Sequence, residues 1–217
     1  MRKMYLSAPL PFVGQKRMLA KEFMKVLEQY PDGTLFVDLF GGSGLLSHIT
    51  KSLKPHSTVI YNDFDNYRFR MKHIPQTNQL LADIREMVGD SVPRHKIIKG
   101  ELRERIFSRI EQEENSTGYV DFITLSSSIL FSMKYKLSVQ DMRKEALYNN
   151  IRKTGYPECT DYLEGLEIVS CDYKEVFNRY KDIPGVVFLV DPPYLSTDVG
   201  TYNMYWNMAD YLDVLNV

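Results

Sequence analysis

The stretch "TLFVDLFGGSGLLSHITKSL" at residues 34–53 changes its periodicity halfway along. Up to Phe40 it is β-branched and aromatic, the pattern of a buried strand. The four residues "GGSG" then permit a tight turn and close backbone approach. From Leu45 the residues read as a helix, whose first turn presents unpaired N–H groups. A second strand pattern, "STVIYND", follows at 57–63. Strand, glycine turn, helix and strand make one βαβ unit of a parallel sheet, which sets the fold class as α/β. By itself the glycine turn leaves its purpose open. A G-x-G-x-x-G reading from Gly42 meets Ser47 at its third position, so a plain structural turn competes with a nucleotide cradle.

Working outward from this unit, residues 16–30 predict a helix with Met18, Leu19, Phe23, Val26, Leu27 and Tyr30 on one face, stopped by "PDG". From about Phe64 to Gly165 strand patterns give way to helical ones rich in Arg and Lys, and the segment reads as a helical insertion. Strand patterns return in "LEIVSCDY", the helix "KEVFNRY" follows, and "GVVFLV" leads into "DPPY" at 191–194. The expected organisation is therefore an α/β domain from residues 1–63 and 166–217, interrupted by an insertion at 64–165. No internal repeat or long low-complexity tract interrupts this pattern.

Composition narrows the function classes. The 217 residues are 44% hydrophobic and 25% charged, with a formal net charge of -1, so no overall basicity marks a nucleic-acid partner. Basic charge is local instead: residues 66–110 hold ten Arg or Lys against five Asp or Glu, and 131–153 hold six against two. Within the second stretch, Lys134, Tyr135 and Lys136 interleave aromatic and basic side chains, as a DNA-contacting surface does, although a solvated helix face has the same composition. The two cysteines have neither metal-ligand spacing nor the density of a disulfide scaffold, and the four histidines form no ligand-like pair, so no metal site is expected. Neither a membrane-spanning run nor a signal peptide is evident, which predicts a cytoplasmic protein.

Four acidic residues each end a different predicted strand: Asp38, Asp63, Asp172 and Asp191. A parallel sheet lines such positions along one crevice, where open α/β sheets bind ligands. Asp63 suits a ribose hydroxyl pair, and Asp172 with Tyr173 suits a purine ring, but each Asp is equally a helix N-cap. After Asp191, Pro192 and Pro193 fix two φ angles and remove two donors, which holds the Pro192 carbonyl and the Tyr194 ring in set positions. Near the amino terminus, "PLPFVGQK" offers Phe12, Gly14 and Lys16, the lysine at a helix start where the dipole disfavours it.

Together, "PFVGQK", "DLFGGSG", "YND", "SCDY" and "DPPY", in this order over residues 5–63 and 166–205, resemble the Dam-type (D12 class) DNA adenine-N6 methyltransferases. The resemblance implies a parallel, doubly wound, methyltransferase-like sheet and S-adenosylmethionine as cofactor. It further implies double-stranded DNA as substrate, as in restriction-modification systems, with the insertion reading the target. It assigns Phe12, Gly14 and Lys16 to the methionine part, and Asp38, Phe40, Gly42 and Gly44 to the cofactor cradle. Asp63 takes the ribose, Asp172 and Tyr173 the cofactor's adenine, and Asp191, Pro192, Pro193 and Tyr194 the target base. Gln15 stands where the family usually has glycine. Readings from neighbouring classes are an N4-cytosine or RNA methyltransferase, a nicotinamide oxidoreductase, and a nucleic-acid binder with a vestigial cofactor site. Such sheets have seven strands, three of them after DPPY, whereas "NMADYLDVLNV" reads as a helix with Leu212 and Leu215 on one face. The expectation is thus a sheet lacking its carboxyl-terminal strands, with an exposed edge open to self-association.

Overall fold

The computed structural model describes residues 3–14, 16–131, 134–192 and 208–215. The chain divides into two compact units, Met1–Phe69 with Cys159–Val217, and Arg70–Glu158.

In chain order the elements are α1 (Ala20–Leu27), β1 (Phe36–Asp38), α2 (Leu45–Leu53), β2 (Val59–Asn62), α3 (Tyr67–Lys72), α4 (Ile74–Val88) and β3 (Ile97–Ile98). Then follow α5 (Gly100–Thr117), α6 (Phe122–Ile129), α7 (Val139–Arg143), β4 (Leu147–Tyr148), β5 (Glu167–Val169), α8 (Tyr173–Tyr180), β6 (Val187–Leu189) and α9 (Met208–Leu215).

The first unit is built on a four-stranded parallel sheet in the order β5-β2-β1-β6. Phe36 of β1 is in register with Val59 on one side and Val187 on the other. Alternation along the strands divides the core. Phe36, Val59 and Leu189 pack with Ala20 and Leu27 of α1 and Leu45 and Ile49 of α2. Val37 and Ile60, one position along, pack instead with Tyr173 and Val176 of α8 and Val214 of α9. Both faces are thus covered by helices, as a parallel sheet with hydrophobic strands requires.

The amino-terminal helix reading needs correction. The helix is shorter than residues 16–30: it begins at Ala20, after a turn in which the Leu19 N–H donates to the Lys16 carbonyl at 2.9 Å. Met18 and Leu19 therefore fall outside the helical stripe and are exposed, as is Val26; Ala20 and Leu27 form the buried face. At the carboxyl end the expected helix is present as α9; Val214 is buried in it and Leu212 exposed, and the side chain of Leu215 lies outside those described.

The Arg70–Glu158 unit is mainly helical, with Leu80, Leu81 and Ile84 of α4, Phe107 and Ile110 of α5, and Leu125 and Ile129 of α6 buried. It is not purely helical: β3 and β4 pair antiparallel, Ile97 opposite Tyr148 and Ile98 opposite Leu147. Strands of two residues separated by about fifty in sequence leave no local alternation to detect. Arg70 meets Asp121 at 3.1 Å and Thr124 Oγ1 at 3.1 Å in the buried part of this unit. Among the described residues no helix is long and apolar enough to cross a membrane.

Candidate active site

Because all four strands of the first unit run the same way, their carboxyl ends open on one side. There lies an open cleft. It is lined by Phe12, Gly14 and Lys16 from the amino-terminal segment and by Phe40 to Ser43 from the glycine turn. Asn62, Phe64 and Asp65 after β2, Tyr173 at the start of α8, and Asp191 and Pro192 after β6 complete it.

The glycine turn is held by side chains beneath it. The buried Tyr61 hydroxyl shares its one proton between the Gly42 carbonyl, at 2.8 Å, and Asp63 Oδ1, at 3.0 Å. Gly42 and Gly44 have φ of +50° and +71°, a region that L side chains seldom adopt. A Cβ on Gly42 would come within 2.9 Å of the Phe12 ring, so the turn's lack of side chains is what keeps the cleft open there. Asn62 ties three strand ends together: its amide donates to the Leu39 and Cys171 carbonyls at 3.0 and 2.9 Å, and its Oδ1 accepts from the Cys171 N–H at 3.1 Å. Phe40 and Tyr173 face each other with ring centroids 4.9 Å apart.

The amino-terminal segment is fastened at two points. The Tyr5 N–H donates to His48 Nε2 at 2.9 Å, while Tyr67 exchanges hydrogen bonds with the backbone of Leu10 at 2.9 and 3.2 Å. Lys16 then reaches Asp191, with Nζ 2.9 Å from Oδ1. Burial raises the Asp191 pKa above the ordinary carboxylate range, and the hydrogen bond and charge of Lys16 oppose that rise. The ion pair thus favours the ionised form in a partly dry site.

Of the predicted residues, Phe12, Gly14, Lys16, Phe40, Gly42, Tyr173, Asp191 and Pro192 come together in the lining. The other three strand-end acids do other work. Asp38 is buried at 1% exposure and accepts from Ser47 Oγ at 2.6 Å; burial pushes its pKa up to about 7. Asp63 accepts from the backbone N–H groups of Tyr67 and Arg68 at 2.6 and 3.0 Å, so it caps α3 and stands outside the lining. Asp172 caps α8 through the Lys174 N–H at 2.8 Å and is exposed. Gly44 serves as the left-handed N-cap of α2. Pro193 and Tyr194 lie outside the described residues. Lys134 and Lys136, in the other unit, both pair with Glu145, at 2.5 and 3.1 Å. Phe64 and Asp65 lie just past the YND motif, and Tyr61 and Asn62 lie within it but carry no assigned role there. Their only signal is adjacency to Asp63 at the end of a strand. Among the described residues no group of three or more His, Cys, Asp or Glu is placed to hold a metal ion.

Residues 12–213 match the D12 class N6 adenine-specific DNA methyltransferase family. The chain belongs to this family. It is also 38% identical, over 222 residues, to a Haemophilus influenzae protein named "Putative methyltransferase", an alignment that covers all of this chain and 74% of that protein. Membership in the D12 family makes the chain a member of a methyltransferase lineage, and the cleft at the sheet's carboxyl edge is the place where such chemistry has room.

A methyl-donor nucleoside fits this lining. The aromatic pair Phe40 and Tyr173 suits a purine, and the bare glycine turn allows close approach by a ribose or an amino-acid tail. Asp65 and Lys16 place both signs of charge in the lining.

Proposed function

We propose that this chain is an S-adenosylmethionine-dependent methyltransferase that modifies N6 of adenine in double-stranded DNA. The observation that carries the reading is the junction of Asp191 and Pro192 with the glycine turn, Phe12 and Tyr173 around one cleft. These segments are far apart in sequence and include both the nucleotide-type turn and the DPPY motif.

S-adenosylmethionine, when bound, supplies a methyl group activated by its sulfonium centre. The chain's residues hold and orient the partners. The Phe40–Tyr173 pair would offer an aromatic wall for the cofactor's adenine, the glycine turn would admit its tail, and Asp65 would accept from its ribose hydroxyls in the role first given to Asp63. An exocyclic adenine amine is a poor nucleophile because its lone pair is delocalised into the ring. Hydrogen bonds from N6 to the Asp191 carboxylate and the Pro192 carbonyl favour a pyramidal nitrogen with its lone pair available. Lys16, bonded to Asp191 Oδ1, keeps that carboxylate ionised as an acceptor. A base stacked within a duplex cannot enter such a cleft, so the target nucleotide is flipped out, at roughly a few kcal/mol. The Arg70–Glu158 unit supplies the contacts to DNA.

Incubating the chain with labelled S-adenosylmethionine and duplex DNA, then digesting the DNA to nucleosides, tests this directly. N6-methyladenine is the expected product, and Asp191→Asn should lower its formation at least 1,000-fold with cofactor binding retained. Label on cytosine, on RNA alone, or undiminished in Asp191→Asn would refute the reading.

A further inference from the structure

Cations on the Arg70–Glu158 unit fall into two groups. The first is matched by carboxylates: Arg109 lies 2.8 Å from both Asp83 and Glu113, Arg143 reaches Glu104 and Glu111, and Lys134 and Lys136 share Glu145. Two ammonium groups on one carboxylate hold the Glu145 pKa below its ordinary value and leave a net single charge. The second forms no ion pair among the described residues: Arg85 and Arg94 are taken up by the Arg152 and Ile151 carbonyls, Lys72 and Arg105 lie on α3 and α5, and Lys96, Lys99, Arg152 and Lys153 lie around β3 and β4. These last four are exposed.

Tertiary structure pairs the two backbone segments that carry these four cations. Lys96 and Lys99 flank β3, while Arg152 and Lys153 follow β4, about fifty residues later in the chain. Pairing extends past the two strands: the His95 N–H donates to the Asn149 carbonyl at 3.0 Å, and the Asn149 N–H to the Lys96 carbonyl at 2.9 Å. The Asn149 amide clamps the Val92 carbonyl at 2.6 Å, and Arg85 Nε holds the Arg152 carbonyl at 2.8 Å. Neither contributing stretch, 91–100 or 146–157, contains an Asp or Glu. A braced backbone presenting like charges without internal counter-ions repels itself, and a polyanion relieves that repulsion. A two-stranded ribbon also has a width that the DNA major groove admits.

We propose that the β3–β4 ribbon is the edge with which this unit grips duplex DNA, with Lys96, Lys99, Arg152 and Lys153 on the phosphates. The Lys134–Lys136 segment, neutralised in part by Glu145, contributes less. This assignment rests on the reading of DNA as the substrate and adds to it the residues that bind.

Fluorescence anisotropy of the whole chain on a short duplex, across a range of salt, tests the proposal. Replacing all four residues with Gln should flatten the slope of log K against log salt by about 3–4, since each phosphate contact adds about 0.9. At about 0.1 M salt that corresponds to a loss of affinity of 100-fold or more. Exchanging Lys for Arg and Arg for Lys at the four positions should restore the slope, and Lys134→Ala with Glu145→Ala, which removes a matched pair, should leave it unchanged. Calorimetric cofactor binding and thermal unfolding of the four-residue variant should equal those of the parent; if it unfolds, Lys153→Glu alone, at an exposed position, should still flatten the slope by more than one contact. A parent that binds and methylates the duplex while the variant keeps its slope would overturn the ribbon alone. A slope lost on single-stranded RNA but kept on duplex would do the same. No binding of duplex by the parent chain would overturn both the ribbon and the substrate reading.

Discussion

Asp63 and Asp65 stand two residues apart after the same strand and have different surroundings. Asp63 accepts from two backbone N–H groups and from the Tyr61 hydroxyl, at 4% exposure, while Asp65 lines the cleft. Removing an acceptor from three buried donors is costly, so Asp63→Ala should lower stability by about 2–3 kcal/mol. Asp65→Ala should weaken S-adenosylmethionine binding about tenfold, roughly 1.4 kcal/mol, and more than Asp63→Ala does. Denaturant unfolding and calorimetry on both variants would expose an inverted assignment. Asp38 offers a pH test. Burial raises its folded-state pKa to about 7 from an unfolded value of 3.8. Below pH ~4 the group is protonated in both states and carries no penalty. As pH rises toward about 7 the unfolded chain releases a proton that the folded chain retains, so stability falls, and the loss levels off above that. The stability advantage of Asp38→Asn over the parent should therefore grow from pH ~4 to ~7, on the order of a few kcal/mol. An equal difference at both ends of that window would exclude the buried proton.

The glycine turn between β1 and α2 shows how elements build the site. A Cβ on Gly41 would lie 2.3 Å from the Tyr61 ring and 2.7 Å from the Asn62 carbonyl, and both neighbours are already committed to holding strand ends. Because backbone cannot yield as a flexible side chain does, Gly41→Ala should cost about 1–3 kcal/mol and weaken cofactor binding more than tenfold. A variant of parental stability with parental affinity would mean the turn can shift freely. The helices on the two sheet faces follow from strand alternation, which the sequence displays. Shorter elements do not follow so directly: α1 begins only at Ala20, with Leu19 at an N-cap position that no side chain caps.

For the whole molecule, ligand linkage gives a reading that needs no assay of activity. A ligand that binds the folded chain alone stabilises it by RT ln(1 + [L]/Kd), about 2.7 kcal/mol at 100 times Kd. S-adenosylmethionine should therefore raise the unfolding temperature by several degrees, and NAD at the same concentration should not. The reverse result would favour the nicotinamide reading of the glycine turn and set aside the methyl-donor fit of the cleft. The same experiment on Asp191→Asn should give a similar shift, since that residue is assigned to the amine rather than to the bulk of the cofactor.

Sequence alone carried the strand, glycine turn, helix and strand of residues 34–63, because period and turn chemistry are local properties. Motif order likewise brought Phe12, Lys16, Phe40, Tyr173 and Asp191 into one expected site, and the structure gathers them around the cleft. What the sequence left open was whether each strand-end acid faces a ligand or caps a helix. One carboxylate suits either role, and only the position of the following N–H groups decides: Asp63 and Asp172 cap, Asp191 pairs with Lys16, and Asp65 enters the lining. The β3–β4 ribbon was invisible for a related reason. Its two strands are two residues each and meet from about fifty residues apart, so neither their pairing nor the juxtaposition of the segments carrying Lys96, Lys99, Arg152 and Lys153 exists until the chain folds.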